Sequence, residues 1–175
     1  MKSIFDSAIL KHSAIKVYAL VGRSGTGKSF RAQLVADKYH IPLIVDDGLL
    51  IKHDRIIAGK SAKQENNFLT AVKRALFQDD DHHQEVLNAL ANERYHKILI
   101  IGTSDKMAEK IALKLNLPEP SVIIHIEDIS SKEEIDTAMR IRYSEGKHVI
   151  PVPPLQITRN YPSIVYDSIK VGLQK

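Results

Sequence analysis

Between residues 17 and 39 the chain passes from an apolar stretch, Val17-Tyr18-Ala19-Leu20-Val21, through Gly22-Arg23-Ser24-Gly25-Thr26-Gly27-Lys28-Ser29, into a helix-like segment that reaches Tyr39. That is G-x-x-x-x-G-K-[ST] between a strand and a helix, and this context turns the spacing into a chemical expectation: a phosphate-binding loop. Glycines let the backbone curl until successive N–H groups point at one anion, and the helix that follows adds its positive end. The backbone of Gly22, Ser24, Gly25, Thr26, Gly27, Lys28, Ser29 and Phe30 is the expected cradle. Lys28 is expected to reach the β- and γ-phosphates and the Ser29 hydroxyl to hold Mg²⁺, so the expected ligand is a nucleoside triphosphate, taken as ATP.

The rest of the chain has to supply a fold around that loop. A length of 175 residues with 43% hydrophobic residues suits one domain, residues 1–175, with a sizeable core. Helical apolar spacing is expected over residues 3–12, over 28–39, from Asn67 to Phe77, from Glu85 to Tyr95 with Val86, Leu87, Leu90 and Ala91 inward, and through Met107, Ile111 and Leu115. Ser104 is the expected cap of that last segment, and Ser131 with Glu134 is a capping box for a helix to about Glu145 closed by Gly146. The all-apolar run at 43–45 reads as a strand buried on both faces, 97–101 as a further buried strand and 122–126 as another strand. Leu49–Lys52 and Arg55–Ala58 read as a hairpin about His53-Asp54, which lacks the Asn-Gly or Asp-Gly signature. The prolines of 148–154 predict an edge strand or surface strap, and 164–166 a last short strand. Strands alternating with helices predict an α/β fold, a three-layer sandwich with a mostly parallel sheet, helices on both faces and ligands at the carboxyl ends of the strands.

Phosphoryl transfer needs an acid and further positive charge. Asp46 and Asp47 end the second strand, where one takes Mg²⁺ with Ser29 (Asp46 is the choice for metal) and the other the attacking group; Asp-Asp-Gly is also a good turn sequence. The strand 98–101 ends in Gly-Thr-Ser, with no acid until Asp105. Thr103 and Ser104 are candidates to orient a water or a phosphate, while a helix cap explains Ser104 equally. Two groups supply candidate cations: the loop Lys60-Ser61-Ala62-Lys63, which otherwise reads as solvated, and Arg140 with Arg142, backed by Tyr143, Lys147 and His148, where the helix dipole alone also favours cations. His82-His83 beside Asp79-Asp80-Asp81 reads as a polar break between two helices, because the spacing matches no zinc pattern, and His125 as a core or strand-end histidine.

Charge and composition bound the partners. Lys plus Arg number 25 against 21 acids, a scattered +4 without a basic stripe, and aromatics are 6%, so a nucleic-acid partner is not indicated. No cysteine is present, which excludes disulfides and thiolate metal sites, and no signal-peptide or membrane-spanning run is apparent, so a cytoplasmic protein without a membrane partner is expected.

Two resemblances attach to these residues. Val17 to Ser29 resembles the P-loop NTPases and nucleotide kinases, which implies their sandwich fold and use of ATP with magnesium. The loop followed by Val45-Asp46-Asp47 and a hairpin is similar to HPr kinase/phosphorylase and the phosphoenolpyruvate carboxykinase-like group, whose paired aspartates serve metal binding and proton transfer. That family's further signature segments have no counterpart in this sequence. Asp-Asp-Gly-Leu-Leu-Ile, Ala-Gly-Lys-Ser-Ala-Lys and Gly-Lys-His-Val-Ile-Pro-Val-Pro together look most like small ATP-binding P-loop proteins of Gram-positive bacteria. Two functions follow as expectations: a phosphotransferase or ATPase acting on the γ-phosphate, with a small-molecule or protein acceptor and with Lys28, Asp46, Asp47, Arg140 and Arg142 at the reacting group, or a nucleotide-binding switch with little turnover.

Overall fold

The computed structural model describes residues 14–145, so the segments expected at 3–12, at 148–154 and at 164–166, together with Gly146, Lys147 and His148, lie outside the described residues. Strands β1 (Lys16–Val21), β2 (Leu43–Asp46), β3 (Leu49–Lys52), β4 (Arg55–Gly59), β5 (Lys97–Gly102) and β6 (Val122–His125) form one sheet in the order β4-β3-β2-β5-β1-β6. The four strands β2, β5, β1 and β6 are parallel, and β3 and β4 extend the sheet antiparallel at one edge. The helices are α1 (Lys28–Tyr39), α2 (Phe68–Ala75), α3 (Asp80–Asn92), α4 (Asp105–Lys114), α5 (Ile126–Ile129) and α6 (Lys132–Glu145).

The period of two in each central strand builds both cores at once. Val17, Ala19 and Val21 of β1, with Leu43, Val45, Ile98 and Ile100, join Val86 and Leu90 of α3 and Ala108, Ile111 and Ala112 of α4 on one face. Tyr18 and Leu20, with Ile44, Leu99 and Ile101, join Ala32, Val35 and Ala36 of α1 and Ile126 on the other. Every residue of the run Ile98-Leu99-Ile100 is fully buried, which is why this strand carries no polar alternation. The chain is therefore α/β, with a mostly parallel sheet between two helical layers.

Several expectations are corrected in detail. Ile126 does not continue β6; it opens α5 and packs fully buried against the start of the glycine loop. Asp80 to His83 do not break a helix but form the first turn of α3, capped by the Asp79 carboxylate, which accepts from the His82 N–H at 3.1 Å. Ala91 faces solvent instead of the core. Along α2 the apolar residues that mark the helix, Phe68, Leu69 and Val72, stay exposed, Phe68 to 81%. The expected hairpin β3–β4 forms although its turn lacks glycine, because His53 accepts the left-handed conformation at φ 56°. The turn expected of Asp-Asp-Gly forms and makes a second hairpin: Asp47-Gly48, at φ 48° and 86°, is an Asp-Gly turn with the two positive φ values of a type I′ turn, and it joins β2 to β3.

This meander decides what reaches the site. Two reversals make β4 run in the direction of β2, so the segment after Gly59 returns to the carboxyl end of the sheet, beside Asp46. The Ala62 N–H donates to the Asp47 carbonyl at 2.8 Å and pins it there.

Candidate functional site

The carboxyl ends of β1, β2 and β5 open onto one cavity of about 60 Å³, lined by Ser24, Gly25, Gly27, Lys28, Ser29, Asp46, Asp47, Lys63, Thr103 and Arg142 among others. Its floor is the start of α1. Helices α2, α3, α4 and α6 each begin with a side-chain cap, from Asn67, Asp79, Ser104 and Ser131, the last in the reciprocal capping box with Glu134. Helix α1 begins at Gly27 with no side-chain cap and no acid in its first turn. Its first N–H groups and the positive end of its dipole are thus left to an external anion.

The loop above that floor is held by its own residues. The Thr26 hydroxyl donates to the Arg23 carbonyl at 2.7 Å, and the Lys28 ammonium donates to the carbonyls of Gly22 and Arg23 at 2.6 and 2.8 Å. Gly25 has to be glycine: at φ 82° a Cβ would lie 2.6 Å from the Arg142 side chain, which crosses the loop and donates from Nη1 to the Ser24 hydroxyl. Helix α6 is what carries Arg142 there. Arg140, two residues earlier on the same helix, is exposed and turns to the Thr137 hydroxyl, so it is not part of the cavity. Phe30 does not line the cavity either; it lines a neighbouring groove of about 340 Å³ with Thr26, Arg31, Ser131, Glu134 and Thr137.

Opposite the loop stands a group of two carboxylates and one buried ammonium. Lys63 Nζ lies 2.9 Å from Ser29 Oγ, 3.2 Å from Asp47 Oδ2 and 3.9 Å from Asp46 Oδ2. The Lys60–Lys63 loop therefore does not behave as a solvated basic loop at Lys63, whose side chain is 12% exposed. Under the Asp47-Gly48 turn, the buried His82 ring lies against Phe77, and its Nε2–H donates to the Gly48 carbonyl at 2.7 Å. This gives His82 a positioning role that the sequence reading as a polar break missed. His125 ends β6 half-exposed, with Asp105 at 3.2 Å, and is not a core residue. Ser104 serves as the cap of α4, and the Thr103 hydroxyl contacts the Met107 sulfur at 3.3 Å while lining the cavity.

Burial sets the electrostatics. It pulls the Lys28 ammonium down to a pKa of about 8, against the upward pull of Asp46 and Asp47. Burial likewise pushes the Asp46 carboxyl up, opposed by Lys63 and aided by Asp47. For Lys63, burial works against the charge but the two carboxylates outweigh it, so the ammonium is held above the ordinary lysine range. The asymmetry has a cause in the neighbours: Lys63 gains from both carboxylates, while for Asp46 burial and the repulsion of Asp47 outweigh what Lys63, Ser29 and Lys28 return. Burial also pulls the His82 imidazole below the ordinary histidine value, against the upward pull of its bond to the Gly48 carbonyl.

A pH dependence follows from Lys28. With its pKa at about 8 in the free protein, a bound polyphosphate would raise that value, so binding takes up a proton at higher pH. Affinity for ATP is expected to be flat below about pH 8 and to fall by up to tenfold per pH unit above it, until the pKa of the bound state is passed. Calorimetric titration between about pH 7 and about pH 9.5 reads this directly. A flat profile across that window, matching that of Lys28→Arg, would show that Lys28 does not meet the anion.

The oxygens of Ser29 and Asp46 are the hard donors that Mg²⁺ takes. The position between them is filled, however, by Lys63 Nζ at 2.9 and 3.9 Å. A divalent ion on those oxygens would sit within about 4 Å of that ammonium, where like-charge repulsion amounts to several kcal/mol even at a protein-surface dielectric. With Lys63 in place, the donor set does not fit a resident Mg²⁺.

From this cavity a second groove of about 480 Å³ runs outward between α2 and α4, lined by Asp47, Lys63, Phe68, Val72, Leu76, Met107, Lys110 and Arg142 among others. Its volume is that of a small-molecule site. Among the described residues no helix is long and apolar enough to cross a membrane. No protein-family model matches the chain, and no curated protein matches its sequence.

Proposed function

We propose that the chain is a P-loop NTPase-like protein that binds ATP and transfers or hydrolyses its γ-phosphoryl group. One observation carries the reading: α1 starts with unclaimed N–H groups, and Lys28 with Ser29, Asp47 and Arg142, from three separate parts of the chain, line the same cavity over it. Three cationic side chains against two carboxylates, with the positive end of α1 added, leave an excess of positive charge that favours a polyanion over a neutral ligand.

The roles follow from position. Lys28 exchanges its loop carbonyls for β- and γ-phosphate oxygens, and the helix amides near Ser29 and Phe30 take the α-phosphate side. The nucleoside then lies in the groove of Phe30 and Arg31, whose guanidinium is paired with Glu134. At the opposite end of the polyphosphate the 480 Å³ groove is open to an acceptor, with Asp47 at the junction. Asp47, the less buried of the two aspartates, takes the proton of an attacking hydroxyl or water, and Arg142 meets the charge that builds on the transferring group.

A second reading, a switch that binds nucleotide with little turnover, is favoured by the contact of Lys63 with Asp47 at 3.2 Å, which occupies the base. A phosphate-release assay with ATP, alone and with hydroxyl-bearing candidate acceptors, separates the two. Release, or acceptor-dependent loss of ATP, is the expected result. Binding of ATP with no release under any condition would leave the switch.

A further inference from the structure

The position that a phosphate loop offers to a metal is held by an amino-acid side chain in this fold. Lys63 Nζ has three N–H donors; Ser29 Oγ at 2.9 Å and Asp47 Oδ2 at 3.2 Å engage two, and one remains for a phosphate oxygen. Its placement is not the chance resting point of a long surface side chain. The meander β2–β3–β4 delivers the segment after Gly59 to this edge, the Ala62 N–H is fixed to the Asp47 carbonyl, and the Ser61 hydroxyl caps the short 3₁₀ turn 62–64 that aims Lys63 inward.

We infer that Lys63 is the built-in counter-cation of the phosphate site and stands in place of a divalent metal, so that the chain binds a nucleoside triphosphate without magnesium. This rests on the nucleotide reading above. The single charge of an ammonium is less than that of Mg²⁺, and the balance comes from the guanidinium of Arg142 and the ammonium of Lys28, which line the same cavity. The two aspartates hold Lys63 in its place as its anchors instead of holding a metal ion. Removing the lysine side chain would vacate three oxygen-bearing groups, Ser29, Asp46 and Asp47, and convert the site into one that takes a metal.

The experiment is a calorimetric titration of ATP into the wild-type chain, Lys63→Ala and Lys63→Gln, each in excess EDTA and in excess Mg²⁺, with circular dichroism melts run alongside. Wild-type affinity is expected to change by less than about threefold between the two conditions, while Lys63→Ala loses about 30-fold in EDTA and recovers most of it in Mg²⁺. Lys63→Gln, which keeps a donor for Ser29 but no charge, shows the same loss if the alanine protein does not fold. A wild-type protein that binds more than about threefold tighter with Mg²⁺, a Lys63 variant that binds like wild type in EDTA, or one that regains nothing in Mg²⁺, overturns the inference. Failure of every protein to bind ATP in either condition sinks the nucleotide reading instead. The cation claim is then decided by electron paramagnetic resonance of Mn²⁺ added to the ligand-free proteins. Binding by Lys63→Ala or Lys63→Gln and not by wild type supports it, and any other pattern refutes it.

Discussion

Lys28→Ala is expected to lose ATP binding by at least about 100-fold, because it removes charge-assisted hydrogen bonds to two phosphates at once. The same substitution should leave the fold intact. Lys28 is 8% exposed, and its pKa is pulled from 10.5 to about 8, so holding the charge there costs the folded state roughly 3 kcal/mol. The sign is that of a base depressed on folding: the cost is fully present below about pH 8, and it fades as pH rises toward the unfolded value. Alanine relieves that cost and gives up two hydrogen bonds to the Gly22 and Arg23 carbonyls. The two effects oppose each other, and the melting temperature is expected to move by only a few degrees, about what 1 kcal/mol brings in a domain of this size. Equilibrium binding of labelled ATP by both proteins checks the result. Equal, negligible uptake by the two would remove every role assigned around the loop.

Next in size is the effect of the paired aspartates on turnover. Asp47→Asn is expected to lower phosphate release by about 10²- to 10³-fold, the worth of a general base, while ATP affinity stays within about threefold. Asparagine accepts the left-handed conformation that residue 47 holds at φ 48°, so the turn into β3 survives. Asp46→Asn acts differently. Asp46 is 8% exposed and meets the lysine ammonium at 3.9 Å, so its loss works through the placement of Lys63 and is expected to cost ATP affinity as well as turnover, each by up to about tenfold. Steady-state release and direct binding measured on the same preparations separate the two effects. Wild-type turnover in both variants would remove the aspartates from the mechanism.

Much of this site can be read in the sequence wherever the reason is local. The loop from Gly22 to Ser29, the extent of α1, the Ser104 cap and the reciprocal bonds of Ser131 and Glu134 all depend on partners within four residues or on a short period. The apolar runs of β2 and β5 likewise announce burial on both faces. The Asp47-Gly48 turn carries an equally local signal, the turn propensity of Asp-Asp-Gly, although that signal does not say that the chain doubles back as a hairpin. The turn is what places both carboxylates at the cavity.

Other residues carry no such signal. Arg140 and Arg142 are indistinguishable by composition, and only the azimuth of α6, set by Ala138 against the start of α1 and by Ile135 against the core, sends one over the loop and the other to solvent. The partners Ser24 and Arg142 are 118 residues apart, and Ser29 and Lys63 are 34 apart. Likewise the apolar residues of α2 predict a helix correctly but not which way it faces, because periodicity states that a stripe exists and not what lies beside it.

What the sequence determined by itself is therefore the strand–loop–helix whose first amides have no side-chain cap, since those hydrogen bonds and φ values are decided within one or two turns of chain. The tertiary structure decided which charges stand around that loop, Arg142 and Lys63 included and Arg140 excluded. Sheet order and helix packing are many-body outcomes of burying two apolar faces, and no residue near the loop encodes them.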